Sequence, residues 1–180
     1  MDSVRQIDRA TIMKKLITRR AALVGAAALG VTGCASPDVV RYTGPEITRV
    51  GVFKKSRRMY LLSDRDVVRS FEIDLGWAPV GDKKVEGDGK TPEGNYLIDR
   101  RNPRSQFHLS LGIDYPRAQD IAEAKALGKS PGGDIFIHGE GQPEGKLGSD
   151  WTWGCVAVTN EEMEEVYSMV RTGTLVSIYP

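Results

Sequence analysis

Cysteine and histidine are both scarce in this sequence of 180 residues: Cys34 and Cys155, His108 and His138. That scarcity excludes a disulfide-stapled scaffold. It also argues against a structural zinc site, which takes four Cys- or His-type ligands. No metal and no organic cofactor is expected. Charge of one sign is equally lacking, with 25 Lys+Arg against 24 Asp+Glu. No broad basic field remains to hold nucleic acid, so no nucleic-acid partner is expected. Long hydrophobic runs are missing too. The most apolar stretch, Ala21–Val31, is shorter than the roughly 17–25 residues a membrane-spanning helix needs.

The even balance hides a polar distribution of charge. Residues 1–34 carry six basic and two acidic residues, leaving 19 basic and 22 acidic in the rest, a net of −3. Met13 to Arg20 is basic, Ala21–Val31 is apolar, and the run ends in Val31-Thr32-Gly33-Cys34. This order suits an export signal and resembles the lipobox of bacterial lipoproteins, in which the cysteine receives lipid. Residues 1–34 are therefore expected to be a signal segment, with Met13 as its start and Cys34 as the lipidated residue. Thr18-Arg19-Arg20 also resembles a twin-arginine signal, and the export route stays open between the two. The expected location is exported, on the periplasmic side, and anchored to the membrane through Cys34. Residues 35–46 mix Pro, Ser, Gly and charge and read as a tether.

From residue 47 to 180 short strands dominate the pattern. They are expected at Ile47–Phe53, Arg58–Leu62, Val67–Leu75, Tyr96–Ile98, Phe107–Leu111, Ile135–His138, Cys155–Val158 and Leu175–Tyr179. In Val67–Leu75, Phe71, Ile73 and Leu75 share one face. Gly81–Gly94 is rich in Gly, Asp and Lys and reads as loop. Two helices are expected. Asp120–Leu127 stops at Gly128, a left-handed cap. Asn160 caps Glu161–Arg171, whose Met163, Val166, Tyr167 and Val170 fall on one side. The acidic cluster Glu161, Glu162, Glu164 and Glu165 reads as a solvated helix face. The fold class is mainly β with a few short helices.

If Cys34 carries lipid, Cys155 has no partner and is either a buried, inert residue or a reactive thiol. Its surroundings bear on the choice. The apolar run Ile135-Phe136-Ile137 stops at His138-Gly139, a loop rich in Gly and polar residues spans 140–150, and Trp151-Thr152-Trp153-Gly154-Cys155 leads into Val156-Ala157-Val158. Two strands thus present an imidazole and a thiol at their ends. A thiol reacts as thiolate, which a neighbouring imidazolium favours, and nucleophile and base need hydrogen-bond reach. Gly154 would let a substrate backbone approach and leave the Gly154 and Cys155 amides free for an oxyanion. His108 lies within an alternating strand, where a packed or hydrogen-bonded role is expected. The loop 140–150 reads as a mobile lid. On the spacing alone, a structural strand pair weighs as much as a nucleophile and its base.

The fuller motif resembles the L,D-transpeptidase (YkuD-type) catalytic domain family, whose signature is His-Gly at a strand end followed by Ser/Thr-x-Gly-Cys. Here it reads His138-Gly139 and Thr152-Trp153-Gly154-Cys155. Thr91-Pro92-Glu93-Gly94 is similar to the family's turn before a strand. Two positions depart from many members: Trp153 replaces a histidine and Ala157 replaces an arginine. Asp150-Trp151-Thr152-x-Gly154-Cys155 looks like a particular branch, some of whose members hydrolyse murein–lipoprotein links. The resemblance implies a β-sandwich catalytic domain over 47–180 and acyl transfer at peptidoglycan stem peptides through a thioester on Cys155, with His138 as base. Gly154, Trp153, Thr152 and Gly139 would position the oxyanion site, and Trp151, His108 and Asp150 would contact substrate. The alternatives are carboxypeptidase- or endopeptidase-type hydrolysis of murein or murein–lipoprotein links, and a non-catalytic wall-binding lipoprotein. Expected partners are stem peptides, the membrane through Cys34, and a murein-linked lipoprotein.

Overall fold

The computed structural model describes residues 41–141 and 149–180. The signal segment with Cys34, the first part of the tether and the centre of the expected lid lie outside the described residues. Among these residues, eight strands and two helices follow in the order β1 (Arg49–Phe53), β2 (Arg58–Ser63), β3 (Asp66–Glu72), β4 (Gly94–Ser105), β5 (His108–Ile113), α1 (Ala118–Ala126), β6 (Phe136–His138), β7 (Val156–Ala157), α2 (Asn160–Met169) and β8 (Leu175–Tyr179). The architecture is mainly β with two short helices, as the period-two patterning predicts. No helix among the described residues is long and apolar enough to cross a membrane.

The strands hydrogen-bond in the order β3-β2-β1-β8-β4-β5-β6-β7. Strand β4 joins the two halves: Gly94–Leu97 pairs with β8 and Ile98–Ser105 pairs with β5. It runs well beyond the expected Tyr96–Ile98, because its polar second half is held by ladder bonds that hydropathy does not register. The segment after β3 folds back to the far edge, where Asp74 exchanges backbone hydrogen bonds with Ala157 at 2.9 and 2.8 Å. The expected strand Val67–Leu75 is therefore divided. It leaves β2 after Glu72 and spends its last residues on β7, although Phe71, Ile73 and Leu75 are all buried as the alternation predicts.

Alternate residues of the strands fill the core. Val50, Val52, Met59, Leu61, Leu109, Leu111, Ile137 and Val156 are buried, and α2 adds Met163 and Val166, with Val170 just beyond its end. Each such side chain stabilises the fold by about 1.5–3 kcal/mol through removal from water. Both helix ends use local chemistry. Asp120 accepts from the Arg117 amide at 2.7 Å to start α1, and Gly128 takes a φ of 67° just beyond its end. Helix α2 is capped by Thr159 and not by the expected Asn160. Thr159 Oγ1 accepts from the Glu162 amide, and Glu162 accepts from the Thr159 amide in return. This reciprocal box satisfies two otherwise unpaired N–H groups and frees the Asn160 side chain. The acidic face is also less idle than expected, since Glu164 meets His108 and Glu165 meets Arg69.

The loop between β3 and β4 is held both from outside and from within. Lys54 is buried and donates to the Gly81 and Thr91 carbonyls and to Glu93. Asp88 accepts from Lys83 and from the Lys84, Val85 and Lys90 amides, which outweigh burial and hold its carboxyl below the usual range. These bonds fix the Lys90 backbone, which forms one wall behind the Cys155 turn.

Candidate active site

His138 ends β6 and Cys155 immediately precedes β7. The two strands run parallel, with Ile137 opposite Val156 and His138 opposite Ala157. Period-two alternation then places Phe136, His138 and Cys155 on one face of this strand pair. His138 and Cys155 both line a cleft of about 410 Å³, together with Ser110, Phe107 and Asp134. The tertiary structure thus brings together the two residues that the sequence singles out.

The imidazole is nearly enclosed. Phe107 stacks on it with ring centroids 4.6 Å apart, and Trp151 meets it edge-on at 5.7 Å. Its Nδ1 lies 2.6 Å from the Gly139 carbonyl oxygen. A carbonyl can only accept, so Nδ1 carries the proton and the neutral ring leaves Nε2 as an acceptor, with no donor to it among the described residues. Burial holds the His138 pKa below the ordinary 6.5, against the opposing pull of that carbonyl. The ring rests neutral near neutral pH, as a general base requires.

The thiol sits differently from expectation. Its sulfur accepts from the Phe136 amide at 3.4 Å and donates to the Asp134 carbonyl at 3.6 Å. Among the described residues these are its hydrogen-bond partners, and the His138 ring is not one of them. Burial pushes the thiol up to about 11, with the Phe136 amide and Lys83 opposing and the Asp134 carboxylate adding to the rise. The resting pair is therefore a neutral thiol and a neutral imidazole, not the favoured thiolate the sequence suggests. Hydrogen bonds of this kind are often long before substrate binds.

Thr152 shapes the turn that carries the thiol. It is buried, donates to the Cys155 carbonyl at 2.8 Å and accepts from the Gly154 amide at 3.2 Å. The Gly154 N–H is consequently engaged and not free for an oxyanion, which leaves the Cys155 amide as the remaining donor of the expected two. The need for glycine here is internal. Gly154 has a φ of 120°, and a Cβ would fall 2.5 Å from the Lys90 carbonyl oxygen. Gly139 is similarly confined, since its Cβ would meet Asn160 at 2.6 Å.

The other expected substrate contacts divide. Trp151 packs on the His138 ring and belongs to the site. Its indole N–H is buried without an acceptor among the described residues. Trp153 is 75% exposed and meets Trp77 edge-on at 6.4 Å. Asp150 turns inward instead: it holds Arg57 through both carboxylate oxygens and accepts from the Leu75 amide at 3.0 Å. Through these bonds it fastens the turn. His108 is tied to Glu164 at 2.9 Å, the hydrogen-bonded role its strand position suggests. Sequence reasoning missed Phe107, Ser110, Asp134 and Asn160. The freed Asn160 side chain clamps Gly141 by accepting from its amide at 3.0 Å and donating to its carbonyl at 2.8 Å. Phe107 sits beside His108 in the sequence, but nothing local marks its ring as the cover of His138.

Fold and site together define a mainly β domain that holds a thiol and a buried, tautomer-fixed imidazole in one cleft. The chain belongs to the L,D-transpeptidase catalytic domain family (YkuD), whose family model matches residues 48–178. The protein of Escherichia coli K12 provisionally named L,D-transpeptidase YafK is 29% identical over 145 residues, covering 73% of this chain and 53% of that protein. The chain thus spans about half the length of the curated relatives it matches. Among solved structures, the helical cell shape determining protein Pgp2 from Campylobacter jejuni is 30% identical, covering 76% of this chain and 49% of that one, with a TM-score of 0.56. Bd1075 from Bdellovibrio bacteriovorus shares the fold at 21% identity and a TM-score of 0.56, covering 74% of this chain and 47% of that one.

Proposed function

We propose that this domain catalyses acyl transfer at peptidoglycan stem peptides through a thioester on Cys155. The observation that carries the reading is the shared cleft, where Cys155 lies on one face of the strand pair with a neutral His138 whose Nε2 can accept. Cys155 Sγ attacks the carbonyl carbon at the L-centre of diaminopimelate. His138 takes the thiol proton and returns it to the leaving amine, D-alanine or a linked lipoprotein. The thioester carbonyl then passes to the amine of a second stem, or to water. The Cys155 amide is the donor nearest the developing oxyanion.

Water is the second reading for the acceptor. Ala157 is buried and apolar where many family members carry arginine, so part of the usual charge beside the thiol is missing. Incubation of the purified protein with a disaccharide tetrapeptide, followed by weighing of the products, separates the outcomes. Crosslinked dimer supports transfer, and tripeptide alone supports hydrolysis. Cys155→Ala is expected to abolish both, and His138→Ala to slow them by about 10²–10⁴-fold. Binding without turnover by the wild type would leave a wall-binding role instead.

We further propose that the protein is exported and held at the membrane by lipid on Cys34, which would keep the domain near the wall. Mass spectrometry of the native N-terminus tests this. An unmodified N-terminus upstream of Cys34 overturns it.

A further inference from the structure

Arg104 lines the same cleft as Cys155 and His138. Its backbone placement is unusual. The β4–β5 register runs Asn102 opposite Ser110 and Ser105 opposite His108, so Pro103 and Arg104 together face Leu109 alone. Two residues against one is a β-bulge, a device that re-aims side chains beside sites. The bulge is pinned by Asn102 Oδ1, which accepts from the Arg104 amide at 2.9 Å. Proline at this point removes a ladder donor where the ladder is already broken.

The neighbouring arginines of β4 are committed. Arg100 pairs with Asp99 and Asp134 and lies over the Phe136 ring. Arg101 donates to the Val170 and Tyr167 carbonyls and lies over the Tyr167 ring. Arg104 is exposed, and among the described residues no carboxylate stands within ion-pair distance of it. The other charged residue lining the cleft, Asp134, is already matched by Arg100. Among the described residues, the cleft around the thiol therefore keeps one uncommitted cation, presented on a bulge.

We propose that Arg104 is a specificity-determining residue that binds a carboxylate of the acyl donor beside Cys155. A guanidinium offers a planar pair of donors that fits a carboxylate through two parallel hydrogen bonds. The ligand class is a peptide with a free carboxylate close to the carbonyl under attack. This rests on the acyl-transfer reading above, and the test separates the two.

The probes are iodoacetate and iodoacetamide, which alkylate the same thiol and differ in one negative charge. In the wild type, iodoacetate is expected to gain on iodoacetamide relative to Arg104→Gln, and added salt should erode the gain. Arg104→Gln is expected to lower the iodoacetate rate by about tenfold, the worth of one charge-assisted pair. Its iodoacetamide rate and thermal unfolding should stay unchanged. Arg104→Lys should recover part of the ratio, since it restores charge without the fork. In a second arm, a tetrapeptide and its carboxyl-amidated form are compared. The wild type should prefer the free acid, and Arg104→Gln should lose that preference. An equal change with both reagents, or no change with either, overturns the proposal. If the wild type turns over no stem peptide while the alkylation ratio shifts, the carboxylate site stands and the acyl-transfer reading fails.

Discussion

Thr152 Oγ1 donates to the Cys155 carbonyl at 2.8 Å and so closes the turn that presents the thiol. The same oxygen accepts from the Gly154 amide, so one hydroxyl serves both backbone groups of the turn. Thr152→Val keeps the shape and leaves a buried carbonyl and a buried amide without this partner. It is expected to cost about 1–3 kcal/mol in urea unfolding and to slow turnover. Thr152→Ser should restore both. Equal behaviour of the Val and Ser variants would show that the hydroxyl is not what holds the turn.

The protonation states of the pair set a pH profile. With the thiol pushed up to about 11 and His138 held below 6.5, alkylation of Cys155 by iodoacetamide should climb steadily with pH well past neutrality. A plateau starting near or below neutral pH would mean a preformed thiolate–imidazolium pair.

Stability follows by linkage. As pH falls through 6.5, the unfolded chain protonates His138 while the folded chain resists, so this contribution to stability is lost on the acid side. As pH rises from 9.0 toward 11, the unfolded thiol ionises first and stability is lost again. Denaturant titrations of wild type and His138→Ala should show the acid-side loss reduced in the variant. Cys155→Ala should reduce the alkaline one.

Asp150 separates fastening from catalysis. Its carboxylate binds Arg57 and the Leu75 amide, and its own amide donates to Asp74 at 3.2 Å. Asp150→Ala is expected to lower stability by about 1–3 kcal/mol, with kcat falling and KM little changed, since the turn loosens and no substrate contact is removed. A rise in KM alone would return Asp150 to the substrate contacts.

Gly154 makes a steric prediction. Alanine there would place its Cβ 2.5 Å from the Lys90 carbonyl oxygen at a φ of 120°. Gly154→Ala is expected to cost about 1–3 kcal/mol by overpacking and to displace the thiol, read as slower alkylation. Gly128 also takes a positive φ, 67°, but its Cβ would meet nothing, so it is the control for backbone strain alone: Gly128→Ala should cost some stability and leave alkylation unchanged.

Much of the scaffold was legible because strand alternation is a local signal. Val50, Val52, Leu109 and Leu111 are buried where a period of two puts them. The ends of β3 and β4 were not legible. Ile73 to Gly76 carries strand-like residues whichever partner it takes, and only chain closure assigns it to β7. Asn160 and Thr159 were both able to cap α2, and the competition was settled by Gly141, which occupies the Asn160 amide.

The sequence by itself determined the strand-rich class and the His138-Gly139 and Thr152-x-Gly154-Cys155 ends. These depend on residue type and near neighbours, which the chain carries before it folds. Only the tertiary structure decided that Asp150 binds Arg57, that Phe107 and Trp151 enclose the imidazole, and that Arg104 has no carboxylate partner among the described residues beside the thiol. Such pairings join segments far apart in sequence. Packing selects them from many chemically equivalent partners, and burial then sets the protonation of Cys155 and His138.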